Sequence, residues 1–212
     1  MKKKICNVII MVLVIALVVV VTMIIIRYIK NYLNEKDIAE TLSIIEQKFE
    51  EADIKAKNDN KKENKNNKEN EELLDIEYKG YKIEGIIEIP AIDIKYPIIN
   101  ETTKETMRVS ITKFWGPEPN EIGNYTLAGH NYQDSTLFGK TKYLKIGDII
   151  KITNLKNETV EYEIFDIYVI DANDVSCVES VESGTREVTL ITCTNGHINR
   201  LITKAREKKD LN

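Results

Sequence analysis

The sequence predicts an all-β fold: a closed, eight-stranded β-barrel with short helices, preceded by an N-terminal transmembrane helix. Three observations carry this. After Asp75, β-branched residues recur with period two in short runs, punctuated by Pro90, Pro97 and Gly147-Asp148. Seven or eight such runs at this spacing suit a closed or nearly closed barrel. Before Asp75 lie an apolar run without a charge, Ile5 to Ile26, and then a segment too polar to build a core.

Composition narrows the classes. The 212 residues carry 30 Lys+Arg against 34 Asp+Glu, a net charge of -4. A nucleic-acid binder normally shows a basic excess, so no nucleic acid is expected as partner. Three cysteines are too few for a disulfide-stapled mini-scaffold. Residues 75–212 suffice for one core and not for two.

The elements follow in order. Met1 and Lys2 to Lys4 precede the apolar run, whose 22 residues span roughly 33 Å as a helix, enough to cross the hydrocarbon core. It holds no Pro or Gly and ends without a small-residue cleavage site, so it reads as an anchor rather than a cleaved signal. Lys2 to Lys4 outweigh Arg27 and Lys30, which predicts a cytoplasmic N-terminus and an exported body. Tyr28 and Tyr32 stand at the interface. Ile38, Leu42, Ile45 and Phe49 form a helical stripe, a juxtamembrane helix or short coiled-coil stalk. From Glu51 to Glu72, 19 of 22 residues are Lys, Glu, Asp or Asn, which predicts a disordered, solvated spacer. The domains are thus 1–30, stub and anchor; 31–74, polar stalk; and 75–212, the barrel.

Within the barrel the expected strands are 81–89, 92–99, 122–128, 149–154, 160–170, 187–192 and 199–205. Lys156-Asn157-Glu158 reads as a hairpin turn without its usual glycine. Short helices are expected over 102–109, capped by Thr102 or Thr103, and over 135–143. No GxxxxGK[ST], GxGxxG or HExxH occurs, so phosphate-loop, dinucleotide and zinc-protease readings have no support.

The chemistry candidates are few. Two histidines, His130 and His197, and two thiols, Cys177 and Cys193, fall in the domain. Cys193 ends the strand-like run from Val188, and Thr194-Asn195-Gly196 then breaks it. His130 ends another run, Tyr125 to Gly129. Gly129 would permit close approach of another chain. A thiol and an imidazole delivered to loops by two strands fit a nucleophile and proton-transfer pair. Taken alone, Cys193 reads better as a small buried hydrophobe, and His130 as a hydrogen-bonded turn residue. Arg200 opens the last strand, seven residues past Cys193. Beside it, a guanidinium would favour the thiolate or hold an oxyanion. Cys193 and His197 form C-x3-H, but further ligands lack organised spacing, so no metal and no cofactor is assigned. Cys177 falls in the polar loop 171–184 and is expected to be accessible; a Cys177–Cys193 disulfide is the rival use of Cys193.

Thr189-Leu190-Ile191-Thr192-Cys193-Thr194 resembles the TLxTC signature of sortases. Leu127-Ala128-Gly129-His130-Asn131 resembles their His-bearing strand, and Asn199-Arg200-Leu201-Ile202 their Arg-bearing last strand. The order His, Cys, Arg and the gap from His130 to Cys193 are similar too. The resemblance spans Tyr81 to about Lys208. It implies a membrane-anchored cysteine transpeptidase of Gram-positive bacteria, with an eight-stranded barrel. The substrates it implies are LPxTG-type sorting-signal proteins, and the acceptor an amine of a cell-wall precursor or pilin. The localisation it implies is a single-pass cell-membrane protein with an extracellular catalytic domain. By resemblance, Cys193 forms a thioester, His130 is general acid and then general base, Arg200 holds substrate and oxyanion, and Thr192 assists the oxyanion site. Residues 31–79 contain no Pro, so the lid of pilin-polymerising members is not expected. The short 171–187 connection leaves a general anchoring enzyme or one of the class D kind. Glu179, Glu182 and Glu187 lie at the loop where some members bind calcium, but their spacing specifies no site. The alternatives are a non-catalytic peptide- or wall-binding module and a cysteine hydrolase that releases its product to water.

Overall fold

The structure is a computed structural model that describes residues 2–59, 75–132, 136–179, 184–194, 196 and 198–209. It comprises one long helix and nine strands: α1 (Lys2–Asp59), β1 (Glu77–Tyr78), β2 (Tyr81–Ile89), β3 (Ile94–Ile99), β4 (Ile111–Trp115), β5 (Gly123–Ala128), β6 (Ile149–Asn154), β7 (Thr159–Asp171), β8 (Arg186–Thr194) and β9 (Asn199–Glu207). The chain forms two compact units, 1–43 and 44–212.

In the first unit, α1 is apolar and solvent-exposed from Ile5 to Ile26. It is long and apolar enough to cross a membrane. The helix continues to Asp59, nine residues into the segment expected to be disordered. Lys and Glu are good helix formers, and the three Ala and Ile residues there interrupt the charge run. The remainder of that segment, 60–72, lies outside the described residues. In the second unit, Ile45 and Phe49 are buried. The Lys95 ammonium sits 2.8 Å from Glu46 Oε1, so this part of the stripe is fastened to the barrel.

The strands form one sheet in the order β1-β2-β3-β4-β5-β8-β9-β7-β6, and β2 pairs with β6 to close it. Eight strands complete the barrel, with β1 as a two-residue appendage on β2. Closure brings backbones close at Gly85, where a Cβ would stand 2.6 Å from Thr153 O. Pairing is antiparallel except β3–β4 and β5–β8. Ile87, Ile89, Ile98, Ile111, Leu127, Ile150, Ile152 and Val188 are fully buried. Each contributes about 1.5–3 kcal/mol of transfer free energy, as an upper bound.

Local chemistry explains the boundaries. Pro97 lies inside β3 because β4 joins only from Ile98 onward, so its missing N–H removes no rung. Ser110 Oγ donates to Pro97 O at 2.6 Å and ties the crossover down. At the β6–β7 turn, Asn157 takes the left-handed conformation, φ 62°, that glycine was wanted for. Asn154 Oδ1 accepts from Lys156 N and Glu158 N. The two expected helices shrink to single 3₁₀ turns at 106–108 and 141–143. Thr103 Oγ1 accepts from Thr106 N, as a cap would. Ser135 lies outside the described residues. β4 was not expected from sequence: five residues without alternation carry too little pattern.

One end of the barrel is polar. A cleft of about 760 Å³ is lined there by Glu84, Lys113, Asn120 and Glu158 among others. Glu84 is 7% exposed. Burial raises its pKa from 4.5 to about 7, against the opposing pull of the Tyr125 hydroxyl and the Lys113 ammonium; Glu118 nearby adds to the rise. Tyr125 OH donates to Glu84 Oε1, and Lys113 Nζ stands 3.5 Å from Glu84 Oε2. Burial, then Glu84, raises the Tyr125 pKa well above its ordinary value. A carboxyl raised in the folded state binds more protons than in the unfolded chain. Its stabilisation is complete below the unfolded pKa and is lost as pH rises through 7. Between pH 5 and 8 the full chain in detergent should therefore lose about 3 kcal/mol of stability from this group, and Glu84→Gln should flatten that dependence. Urea unfolding followed by Trp115 fluorescence checks this; parallel pH profiles for the two proteins would refute it.

Candidate active site

β5 and β8 pair in parallel with a constant offset, from Gly123 opposite Arg186 to Ala128 opposite Ile191. That offset is 63 residues, the same as the gap from His130 to Cys193. The strand pairing ends at Ala128 and Ile191, and two residues further on His130 enters the loop whose Asn131 side chain bonds the Cys193 carbonyl. On the other side of β8, Cys193 lies directly opposite Arg200 of β9, and Arg200 opposite Ile170 of β7. Directly opposed side chains stand on one face, with Cβ atoms about 5 Å apart. The row Ile170, Arg200, Cys193 is thus assembled by register, and the Asn131 bond to Cys193 O keeps the His130 loop beside it.

The face follows from alternation. Val188, Leu190 and Thr192 are buried, with Val188 and Leu190 opposite the buried Ala205 and Thr203 of β9 and the buried Tyr125 and Leu127 of β5. Cys193 shares the opposite, outer face with Glu187, Thr189 and Ile191. Residues 172–179 cover the lower part of that face. Asn124 Nδ2 donates to Cys177 O at 3.0 Å, Val178 O at 3.0 Å and Glu179 O at 3.3 Å. Thr189 Oγ1 donates to Asn124 Oδ1 at 2.8 Å. Glu187, also covered, is held by Arg206 Nη2 at 3.0 Å and Lys204 Nζ at 3.8 Å. Beyond this cover Ile191, Cys193, Thr194 and Arg200 are half-buried. The row beneath Cys193 is apolar: Tyr168, Ile202, Ile191 and Ala128. The site is a half-buried groove on the outer face, where thiol and guanidinium stand side by side next to an apolar row whose Ile191 and Tyr168 are half-buried and whose Ile202 and Ala128 are buried.

The loop that carries His130 is built by side chains. His130 O accepts from Phe138 N at 3.0 Å, and the His130 ring lies 5.0 Å from that of Tyr132. Asn131 Nδ2 donates to Cys193 O at 2.8 Å. Gly129 leaves room for the Phe138 ring of the same loop: a Cβ there would lie 2.6 Å from Phe138 Cδ2. The close approach expected at Gly129 is thus an internal one. Thr192 Oγ1 donates to Gly129 O at 2.7 Å. Its hydroxyl ties β8 to the His130 loop from the inner face, the face away from Cys193. Arg200 Nη1 donates to Asn199 O at 3.2 Å. His197 and Asn195 lie outside the described residues.

Cys177 departs from expectation. It is 1% exposed, in the 3₁₀ turn 176–178, and burial pushes its thiol pKa up. Its carbonyl is held by Asn124, which is level with Glu187, six residues along β8 from Cys193. That is roughly 20 Å at the rise of a strand. Bridged cysteines have Cα atoms within about 7 Å, so this fold keeps the two thiols apart, and both are free. Sequence placed Cys177 in a polar loop but could not show that the loop folds back onto β8. Asn131 and Asn124 were given no role either; only tertiary contacts distinguish them from ordinary loop and strand asparagines. Among the described residues, no group of three or more His, Cys, Asp or Glu side chains could hold a metal ion.

A family model for the sortase domain matches residues 87–208, more than half of the chain and all of this groove. The chain belongs to the sortase family. It is 32% identical over 117 residues to sortase A of Listeria monocytogenes, covering 55% of this chain and 51% of that one. It is 27% identical over 169 residues to sortase A of Staphylococcus aureus, covering 78% and 76%. The chain thus spans about half the length of the Listeria sortase. Among solved structures, sortase A of Corynebacterium diphtheriae superposes with a TM-score of 0.56 at 27% identity, over 62% of this chain and 64% of that one. The closed eight-stranded barrel is the sortase fold.

Two outcomes follow from the packing of this sortase-family barrel. Gly129→Ala should destabilise the chain by about 1–3 kcal/mol, because the fully buried Phe138 has nowhere to yield; urea unfolding measures it, and a change below 0.5 kcal/mol would contradict it. Iodoacetamide should modify Cys193 in the native chain and Cys177 only after denaturation, as read by peptide mass mapping. Equal labelling of both native thiols would contradict the burial of Cys177.

Proposed function

We propose that the protein is a membrane-anchored cysteine transpeptidase that cuts an LPxTG-type sorting signal and joins the released end to an amine of the cell wall. The observation that carries this is Cys193 directly opposite Arg200 on the outer face, with Asn131, the neighbour of His130, bonded to the Cys193 carbonyl. The reaction divides one amide exchange into two steps. Cys193 Sγ, its proton passed to His130, attacks the carbonyl of the signal's Thr residue. Arg200 faces the developing oxyanion. His130 gives a proton to the departing amine, and the C–N bond breaks to leave a thioester. An incoming amine then attacks the thioester, His130 takes its proton, and a new amide forms as the thiol is restored. The half-buried Ile191 and Tyr168 beside Cys193 suit the aliphatic side chain of the signal. Thr192 acts from behind by fastening β8 to the His130 loop.

The anchoring reading places residues 5–26 in the membrane, with the N-terminus cytoplasmic and the barrel outside. The domains divide as anchor 1–30, spacer 31–74 and catalytic barrel 75–212. A tether near the site where exported proteins emerge raises the effective concentration of substrate. The acceptor is a cell-wall precursor or a pilin amine, for an enzyme of the general anchoring or the class D kind.

Intact-protein mass spectrometry tests the reaction. The full chain in detergent, incubated with a library of LPxTG-type peptides, should gain the mass of a peptide's N-terminal fragment, and Cys193→Ala should not. Addition of glycine or another amine should then discharge the adduct to an amide. Discharge only to acid, with every amine tried, would favour the hydrolase. No adduct with any peptide would favour the binding module.

A further inference from the structure

A parallel ladder bonds alternate residues of each strand to its neighbour. Between β5 and β8 its backbone rungs run to Gly129 N and Ile191 O, at 3.1 Å. The next rung of that series would join Asn131 N to Cys193 O. In its place stands the side chain: Asn131 Nδ2 donates to Cys193 O at 2.8 Å. The backbone at Asn131 has turned away to bridge Leu137 in an antiparallel sense, and His130 O bonds Phe138 N. β5 therefore leaves β8 by the length of one amide side chain, with the carbonyl of Cys193 still held. His130 lies between the last backbone rung and this side-chain rung.

We infer that Asn131 is a positioning residue that sets the gap between His130 and Cys193. Backbone pairing at this rung would close the imidazole and thiol to ladder spacing and leave no room for a carbonyl between them. Without the rung, the His130 loop would lose its tie to the nucleophile's own residue. The amide N–H supplies what no carboxylate can, since the partner is a carbonyl acceptor. The inference rests on reading Cys193 and His130 as a reacting pair.

The test uses the full chain in detergent and iodoacetamide as probe. The rate of Cys193 alkylation is measured from pH 5 to 10 by mass mapping for wild type, His130→Ala, Asn131→Ala, Asn131→Asp and Asn131→Gln. His130→Ala should change the shape of the profile. Asn131→Ala and Asn131→Asp should follow His130→Ala, while Asn131→Gln, which keeps the donor, should stay near wild type. With a peptide that acylates wild type, Asn131→Asp should lower kcat on the order of 100-fold and leave KM within about twofold. Labelling of Cys177 reports any variant that unfolds. Should Asn131→Ala do so, equal profiles for the Asp and Gln variants would overturn the inference. A wild-type profile in Asn131→Ala, with a changed one in His130→Ala, overturns it while leaving the pair intact. A His130→Ala profile equal to wild type removes the pair itself, and with it both the inference and the reading beneath it.

Discussion

The parallel pairing of β5 with β8 is the constraint on which the rest of the structure depends. Two parallel neighbours cannot be joined by a tight turn, so the chain must leave β5, build β6 and β7 elsewhere, and return. The register in which it returns decides the chemistry. A slip of one residue would turn Cys193 inward and bring Thr192 out to the groove. Several independent contacts hold that register. Tyr125, Leu127, Val188 and Leu190 are buried on the inner face. The Asn124–Thr189 bond fixes the outer face, and Thr192 locks the end of β8 to Gly129.

The two ends of the barrel treat polarity in opposite ways. At the end marked by Asn120, which precedes β5, a carboxyl, a phenol and an ammonium are drawn into the wall. Glu84 remains largely protonated below neutral pH because burial costs more than Lys113 and Tyr125 restore. At the end marked by His130, which follows β5, the strands part, and side-chain amides take over from backbone groups. The covered outer face between them holds its own polar network, with Glu187, Lys204 and Arg206 beside residues 172–179. Lys204 Nζ also lies 3.3 Å from Glu179 O. Buried polar groups of this kind are expensive to leave unpaired, so they fix that segment in one place. The groove edge beside Cys193 inherits that rigidity.

Much of the fold was legible because β-branched runs with period two report strands directly. β2 and β6 match the expected ranges, β3, β5 and β9 differ by one or two residues at one end, and β7 and β8 by one or two at both. β4 was missed, and the helices at 102–109 and 135–143 were overestimated. In each case the local signal was short, and the decisive partners were distant in sequence. Thr102 Oγ1, for example, bonds Lys113 O at 2.7 Å, which draws the segment into a loop rather than a helix.

The sequence by itself determined the apolar anchor-length helix, the strand content and the places of Cys193, His130 and Arg200 at the ends of strand-like runs. These are properties of residue type, period and position along a strand. Tertiary structure decided that Cys193 and Arg200 share a face, that Cys177 is sealed in its 3₁₀ turn, and that Asn131 holds the carbonyl of Cys193. Each of these depends on strand pairing, on a contact across more than sixty residues or on a loop folding back over a sheet. No local pattern encodes such contacts, because the free energy that selects them comes from burial and hydrogen bonds that exist only once the barrel has closed.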